Sequence, residues 1–145
     1  IVWGGIAGCM PILAGRVLGI GQVDLIGILL MLSVLFWIPT HILTFSIHYA
    51  EDYAAAGIPT FPFTYGIKFT RNLVVVSTII AAVLITSAAI LIQVSGGFLH
   101  LLGILSGALV MMALFVMFRP SRLANFSLFK YASVYMLAAM LLLAF

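Results

Sequence analysis

Charge is what this chain has least of. Of its 145 residues six are Lys or Arg and three are Asp or Glu, so 6% are charged against 66% hydrophobic. A soluble domain carries roughly a quarter charged residues, and a chain this poor in charge cannot cover its own surface in water. With a mean hydropathy of +1.37, lipid has to be the solvent. The formal net charge of +3 is small and its residues are scattered, which gives no nucleic-acid surface. A single cysteine, Cys9, excludes an intrachain disulfide and carries no metal-site spacing. The chain opens on Ile1 inside an apolar run, without a Met or a basic n-region. It is therefore expected to be part of a longer protein and to have no signal peptide.

Long apolar runs are what is there. A spanning helix needs about 20 mostly apolar residues, and five segments qualify: about 1–18, 25–49, 73–94, 98–118 and 126–145. The connections at 19–24, 50–72, 95–97 and 119–125 hold most of the Gly, Pro and charged residues. The expected fold class is all-α, a single polytopic transmembrane bundle of five spanning helices over residues 1–145. Lys68, Arg71, Arg119, Arg122 and Lys130 fall on one side of that topology and Arg16 on the other. The positive-inside tendency puts the long 50–72 connection in the cytoplasm and the C-terminus outside. Small residues in Gly4-Gly5-Ile6-Ala7-Gly8 and at Gly103, Ser106 and Gly107 are read as sites of close helix packing.

Two of the three acids, Glu51 and Asp52, are adjacent, flanked by Tyr49 and Tyr53 at the end of the second apolar segment. At about 100° per residue, His41, Phe45, His48 and Asp52 lie at about 0°, 40°, −20° and 20° on one helical stripe. Trp37 precedes the stripe by one turn, and Pro39 removes a backbone hydrogen bond and is expected to kink the helix. Glu51 points about 80° away from His41, so the two acids do not chelate one ion as a simple pair. Each His alone is accounted for by an interhelical hydrogen bond. Two His and an Asp in register are costly facing lipid and point to a cavity, so Asp52 is expected to face a lumen shared with both imidazoles.

A carboxylate at the rim of an apolar bundle suits a substrate with a long apolar tail and a phosphorylated head, provided a divalent cation lies between. Mg²⁺ takes oxygen ligands and is usually held by one or two carboxylates plus substrate phosphates. Lys68 and Arg71 would hold the remaining phosphate charge. Ionisation of a prenyl diphosphate develops charge on pyrophosphate, which metal and cations stabilise. One Asp is too few for a metal cluster, and Asp24 is on the opposite face, so further acids are expected from outside this chain.

Phe36-Trp37-Ile38-Pro39-Thr40-His41 followed by Tyr49-Ala50-Glu51-Asp52-Tyr53-Ala54-Ala55-Ala56-Gly57-Ile58-Pro59 resembles the heme-farnesylating branch of the UbiA-type intramembrane prenyltransferases. The pattern there reads W-x-P-P-H-F, then D-Y-x-x-A-G-I-P-M-L-P. Ile1-Val2-Trp3-Gly4-Gly5-Ile6-Ala7-Gly8 is similar to its I-V-I-G-G-x-A-G, and Leu128-Phe129-Lys130-Tyr131-Ala132-Ser133-Val134-Tyr135 to its L-F-x-x-S-x-x-Y. The resemblance covers nearly the whole chain but the C-terminal half of the family's nine-helix fold, making these the fifth to ninth helices. It implies transfer of a farnesyl group from farnesyl diphosphate to a vinyl group of heme b, in a prokaryotic cell membrane. Heme b is then a substrate, with a heme a synthase or terminal oxidase assembly downstream. Asp52, with Glu51 beside it, would serve Mg²⁺-diphosphate; His41 would lie beside the heme or the reacting vinyl as ligand, base or packing partner. Trp37, His48, Tyr49, Tyr53, Lys68 and Arg71 are the further substrate-binding candidates. Thr40 stands for the usual second Pro, Ile42 for Phe, Thr60-Phe61 for Met-Leu, and Arg16 for an apolar residue.

Two other readings of the residues stay open. A relative acting on a quinone precursor, a chlorophyll or an archaeal lipid would be expected to carry a fuller D-x-x-x-D element; the position four before Tyr53 is Tyr49. A proton-coupled transporter would use His41 and His48 as relay groups, but such sites tend to lie near the midplane between broken helices, whereas Asp52 is at the rim. A purely structural subunit gives no reason for an acidic rim beside Lys68 and Arg71.

Overall fold

The computed structural model describes residues 2–143. Its helices are α1 (Val2–Ile20), α2 (Leu25–His48), α3 (Ala50–Ala55), α4 (Phe61–Tyr65), α5 (Ile67–Ile92), α6 (Gly96–Phe118) and α7 (Arg122–Leu143). The five long helices are each apolar and long enough to cross a membrane, so the fold is the expected all-helical transmembrane bundle. The outer ends of the first and last expected spans, Ile1, Ala144 and Phe145, lie outside the described residues.

Helices α2, α5, α6 and α7 pack around a common core, and α1 lies against α2. Leu43, Val74, Ile85, Leu102, Leu109, Leu128 and Tyr135 are fully buried at its centre. Lipid gives no hydrophobic push between helices, so contacts rest on close packing and interhelical hydrogen bonds. The α1–α2 contact uses the first: a Cβ on Gly5 would sit 3.1 Å from Leu35 Cδ1, and one on Gly8 3.1 Å from Ile38 Cδ1. Gly103 and Gly107 do not act this way. Nothing lies within 4 Å of a Cβ at either, and with Ile79, Val83 and Met111 they line an open groove of about 590 Å³ between α5 and α6.

Hydroxyl pairs join the other helices. Thr40 Oγ1 lies 2.9 Å from Thr78 Oγ1 and 3.2 Å from Ser77 Oγ, tying α2 to α5. Thr40 is fully buried, so the departure from the family's second Pro is absorbed by a bond proline could not make. Ser106 Oγ and the Tyr135 hydroxyl, 2.9 Å apart, tie α6 to α7. α2 continues through Pro39 as a single helix.

The long connection differs from expectation. It contains α3 and α4, and α5 starts at Ile67, so Lys68 and Arg71 sit on a helix and not in a loop. Gly57 (φ 69°) and Gly66 (φ 84°) supply the left-handed bends that end α3 and open α5. At the other end, Asp24 caps α2 by accepting from the Gly27 N–H at 2.8 Å, and Arg16 Nη2 donates to its other oxygen at 2.8 Å.

Candidate functional site

Two groups of side chains were in question, the imidazole stripe on α2 and the charged end beyond it. His41, Phe45 and His48 do share a face, and that face packs on α7. His41 stacks between Trp37 (ring centroids 4.8 Å) and Phe129 (4.7 Å). Phe45 contacts Phe129 and Tyr49, and His48 stacks on Phe126 at 4.5 Å. Phe126 also carries Lys130 Nζ over its ring at 4.7 Å. A run of rings therefore extends from Trp37 to the end of α2. Trp37 fixes its upper end by donating its indole N–H to the Ala132 carbonyl at 2.8 Å.

Asp52 does not continue this stripe inward. It is exposed on α3, which buries none of its residues, and it does not line the pocket that His48 lines at this end. The reason is local. Tyr49 has ψ 21° in place of the helical value near −42°, so the 100° phase of α2 is not carried into α3.

The cavity at this end is lined by Glu51. Ile47, His48 and Glu51 at the α2–α3 junction, Arg71 on α5, and Arg122 and Asn125 on α7 surround a pocket of about 200 Å³. Arg122 pairs with Glu51 across its mouth. Both side chains are largely exposed, so the pair contributes at most about 1 kcal/mol. Asn125 is 4% exposed; its Nδ2 donates to the Thr44 carbonyl, which fixes the amide orientation and leaves Oδ1 without a partner. His48 Nδ1 is likewise buried and unbonded. An unsatisfied buried polar atom costs about 1–3 kcal/mol, and these two belong to residues that line one pocket.

Of the expected residues, the structure brings Glu51, His48 and Arg71 to the pocket; Trp37 and His41 share the ring stack with Tyr49 at its lower end. Lys68 is exposed and Tyr53 half-buried, both away from the pocket lining. Arg122, read in the sequence for its charge alone, and Asn125 complete the pocket wall. Their signal was the i, i+3 spacing of an Arg and an amide at the start of an apolar span. Among the described residues no three His, Cys, Asp or Glu side chains gather as a metal site.

An all-helical integral membrane domain with a pocket lined by charged and polar side chains at one end is the class that fold and site define. The sequence matches the UbiA prenyltransferase family over residues 1–144, and the chain belongs to that family. It is 37% identical over 145 residues to the protoheme IX farnesyltransferase of Photobacterium profundum, covering 99% of this chain and 45% of that protein. Identity to the enzyme of the same name from Marinobacter nauticus is 33% over 147 residues, covering 99% of this chain and 47% of the relative. The Korarchaeum cryptofilum protein of that name is 42% identical over 84 residues, 58% of this chain and 29% of its own length. The chain thus spans about half the length, or less, of these curated relatives. No solved structure matches it.

Proposed function

We propose that this chain forms part of an intramembrane prenyltransferase that moves a farnesyl group from farnesyl diphosphate to a vinyl group of heme b. One observation carries the reading for this chain's own residues. Asp52, Glu51, Arg71, Arg122, His48 and Asn125 all gather at one end of a bundle of five predominantly apolar spans. An amphiphile with a diphosphate head and an isoprenoid tail matches that division: head at the polar end, tail along the apolar helices. Names of relatives with up to 99% coverage of this chain support farnesyl and heme as donor and acceptor.

In the reaction, the C1–O bond of farnesyl diphosphate breaks, pyrophosphate leaves, and the vinyl π electrons bond to C1. Water then adds to the resulting cation and loses a proton, giving a hydroxyethylfarnesyl product. Arg71 has no partner among the described residues and is placed to bind diphosphate oxygens as charge develops on them. Arg122 reaches the same pocket and can exchange Glu51 for phosphate, since an exposed pair holds it weakly. Trp37, Phe45 and Phe129 exclude water from the middle of α2, and His41 lies among them.

A Mg²⁺ ion fits the donors in kind. Asp52 is an exposed carboxylate with no ion-pair partner among the described residues, whereas Glu51 is engaged by Arg122. One carboxylate with substrate phosphates is a usual Mg²⁺ set; Asp52 is the ligand this chain would supply, Glu51 its neighbour, and further acids would come from the length of the relatives that this chain does not span. Such an ion supplies charge neutralisation at the leaving pyrophosphate. The basic residues at this end support a cytoplasmic side for the pocket, by the positive-inside tendency.

The test is to supply the full-length protein, in native-like membranes, with heme b, farnesyl diphosphate and Mg²⁺. The expected product is heme increased by one farnesyl group and one hydroxyl group by mass spectrometry. Turnover of a quinone precursor with no turnover of heme b would reject the acceptor assignment and keep the prenyl donor.

A further inference from the structure

The hydrogen bonds around Ser133 decide which nitrogen of His41 carries its proton. Ser133 Oγ lies 2.8 Å from the Phe129 carbonyl oxygen, one turn back on α7, and 3.1 Å from His41 Nδ1. A carbonyl only accepts, so the single hydroxyl hydrogen of Ser133 is committed to Phe129. The contact to His41 then needs a hydrogen from the imidazole, which places it on Nδ1. In a neutral imidazole one nitrogen donates and the other accepts, so Nε2 carries a lone pair.

The rest of the ring is constrained in the same sense. Trp37 covers one face and Phe129 the other, and Trp37 is itself anchored to Ala132, the residue before Ser133. None of the described residues bonds Nε2, and the side chain is partly exposed. With both faces stacked and Nδ1 engaged, the Nε2 edge is what His41 presents to a guest.

We infer that Ser133 is a positioning residue that holds His41 as its Nδ1–H tautomer, so that the imidazole meets substrate through the Nε2 lone pair. It therefore acts as an electron-pair donor, toward a proton or a porphyrin metal, and not as a hydrogen-bond donor to substrate oxygen. The tautomer itself stands on geometry alone; the substrate clause rests on the prenyltransferase reading above.

The experiment is ¹⁵N NMR of histidine-labelled full-length protein in nanodiscs at a pH where His41 is neutral, with His41 assigned by difference from H41N. The expected wild-type result is a protonated Nδ1 and an unprotonated Nε2. Ser133→Ala should mix the two tautomers, and Ser133→Thr, which keeps the hydroxyl, should restore the wild-type pattern. A protonated Nε2 in the wild type, or no change in Ser133→Ala, overturns the inference whether or not the protein turns over heme. In activity, Ser133→Ala should lower kcat tenfold or more with KM for farnesyl diphosphate unchanged, and Ser133→Thr should recover it; a change in that KM alone would assign Ser133 to diphosphate binding instead. Zinc protoporphyrin separates the two acceptors: it shifts the Nε2 resonance if the partner is a metal and leaves it in place if the partner is a proton.

Discussion

The indole N–H of Trp37 donates to the carbonyl of Ala132 at 2.8 Å, joining the middle of α2 to the middle of α7. That one bond sets the height at which His41 meets Ser133 and Phe129, because all five residues lie within about a turn of one another along the seam. Trp37→Phe keeps a ring over His41 and removes only the bond. Interhelical hydrogen bonds in membranes average about 0.6 kcal/mol, so this variant should unfold only slightly more easily in a detergent titration. Trp37→Ala also empties the space the ring fills and should cost about 3–5 kcal/mol. Equal losses in the two variants would show that the hydrogen bond, and not packing, holds the seam.

Asn125 separates stability from function. Its Nδ2 serves Thr44, but its Oδ1 is buried without a partner, so the amide stabilises the fold less than its burial suggests. Asn125→Leu should leave thermal stability within about 1 kcal/mol of wild type and raise KM for farnesyl diphosphate several-fold. A loss of stability above about 3 kcal/mol with KM intact would make Asn125 a purely structural contact.

The two adjacent acids should part company. Asp52→Asn removes a metal-capable carboxylate from an exposed helix without touching the core, so folding and insertion should be unchanged and prenyl transfer abolished. Glu51→Gln breaks a surface pair with Arg122 and should leave turnover within about threefold, since such pairs contribute little. Rates measured at saturating Mg²⁺ test both; near-normal turnover in Asp52→Asn would end its metal role.

Much of this was legible in the chain itself, for reasons that differ by residue. Hydropathy located the five spans because a lipid-facing helix has to be apolar along its length. The shared face of His41, Phe45 and His48 followed from helical periodicity, which holds while the helix is regular. Asp52 was out of reach of that rule because Tyr49 interrupts the phase, and no residue type announces a single ψ of 21°. Gly103 and Gly107 looked like Gly5 and Gly8, yet only the latter pair meets a neighbouring helix; small residues permit close approach without requiring it. Asn125 and Ser133 depend on α2 meeting α7, more than 80 positions apart in the chain. A pattern local to one helix carries no record of which partner lies across it.

The far end of the bundle makes a prediction about pH. Asp24 accepts from Arg16 and from the Gly27 N–H, and these bonds, Arg16 first, hold its carboxyl below the usual carboxylate value. A group whose folded pKa is depressed contributes stability above its unfolded pKa, near 3.9 for Asp, and loses it as pH falls through the folded value. The α1–α2 turn should therefore be fully held at neutral pH and loosen only in acid, once the carboxyl protonates and releases both Arg16 and the cap. Hydrogen exchange at the Gly27 amide should accelerate, relative to its intrinsic rate, below about pH 4 in the wild type. Asp24→Asn keeps a capping oxygen but has no charge to lose, so its exchange should show no such acid step. An acid step of the same size in Asp24→Asn would assign the loosening to another group.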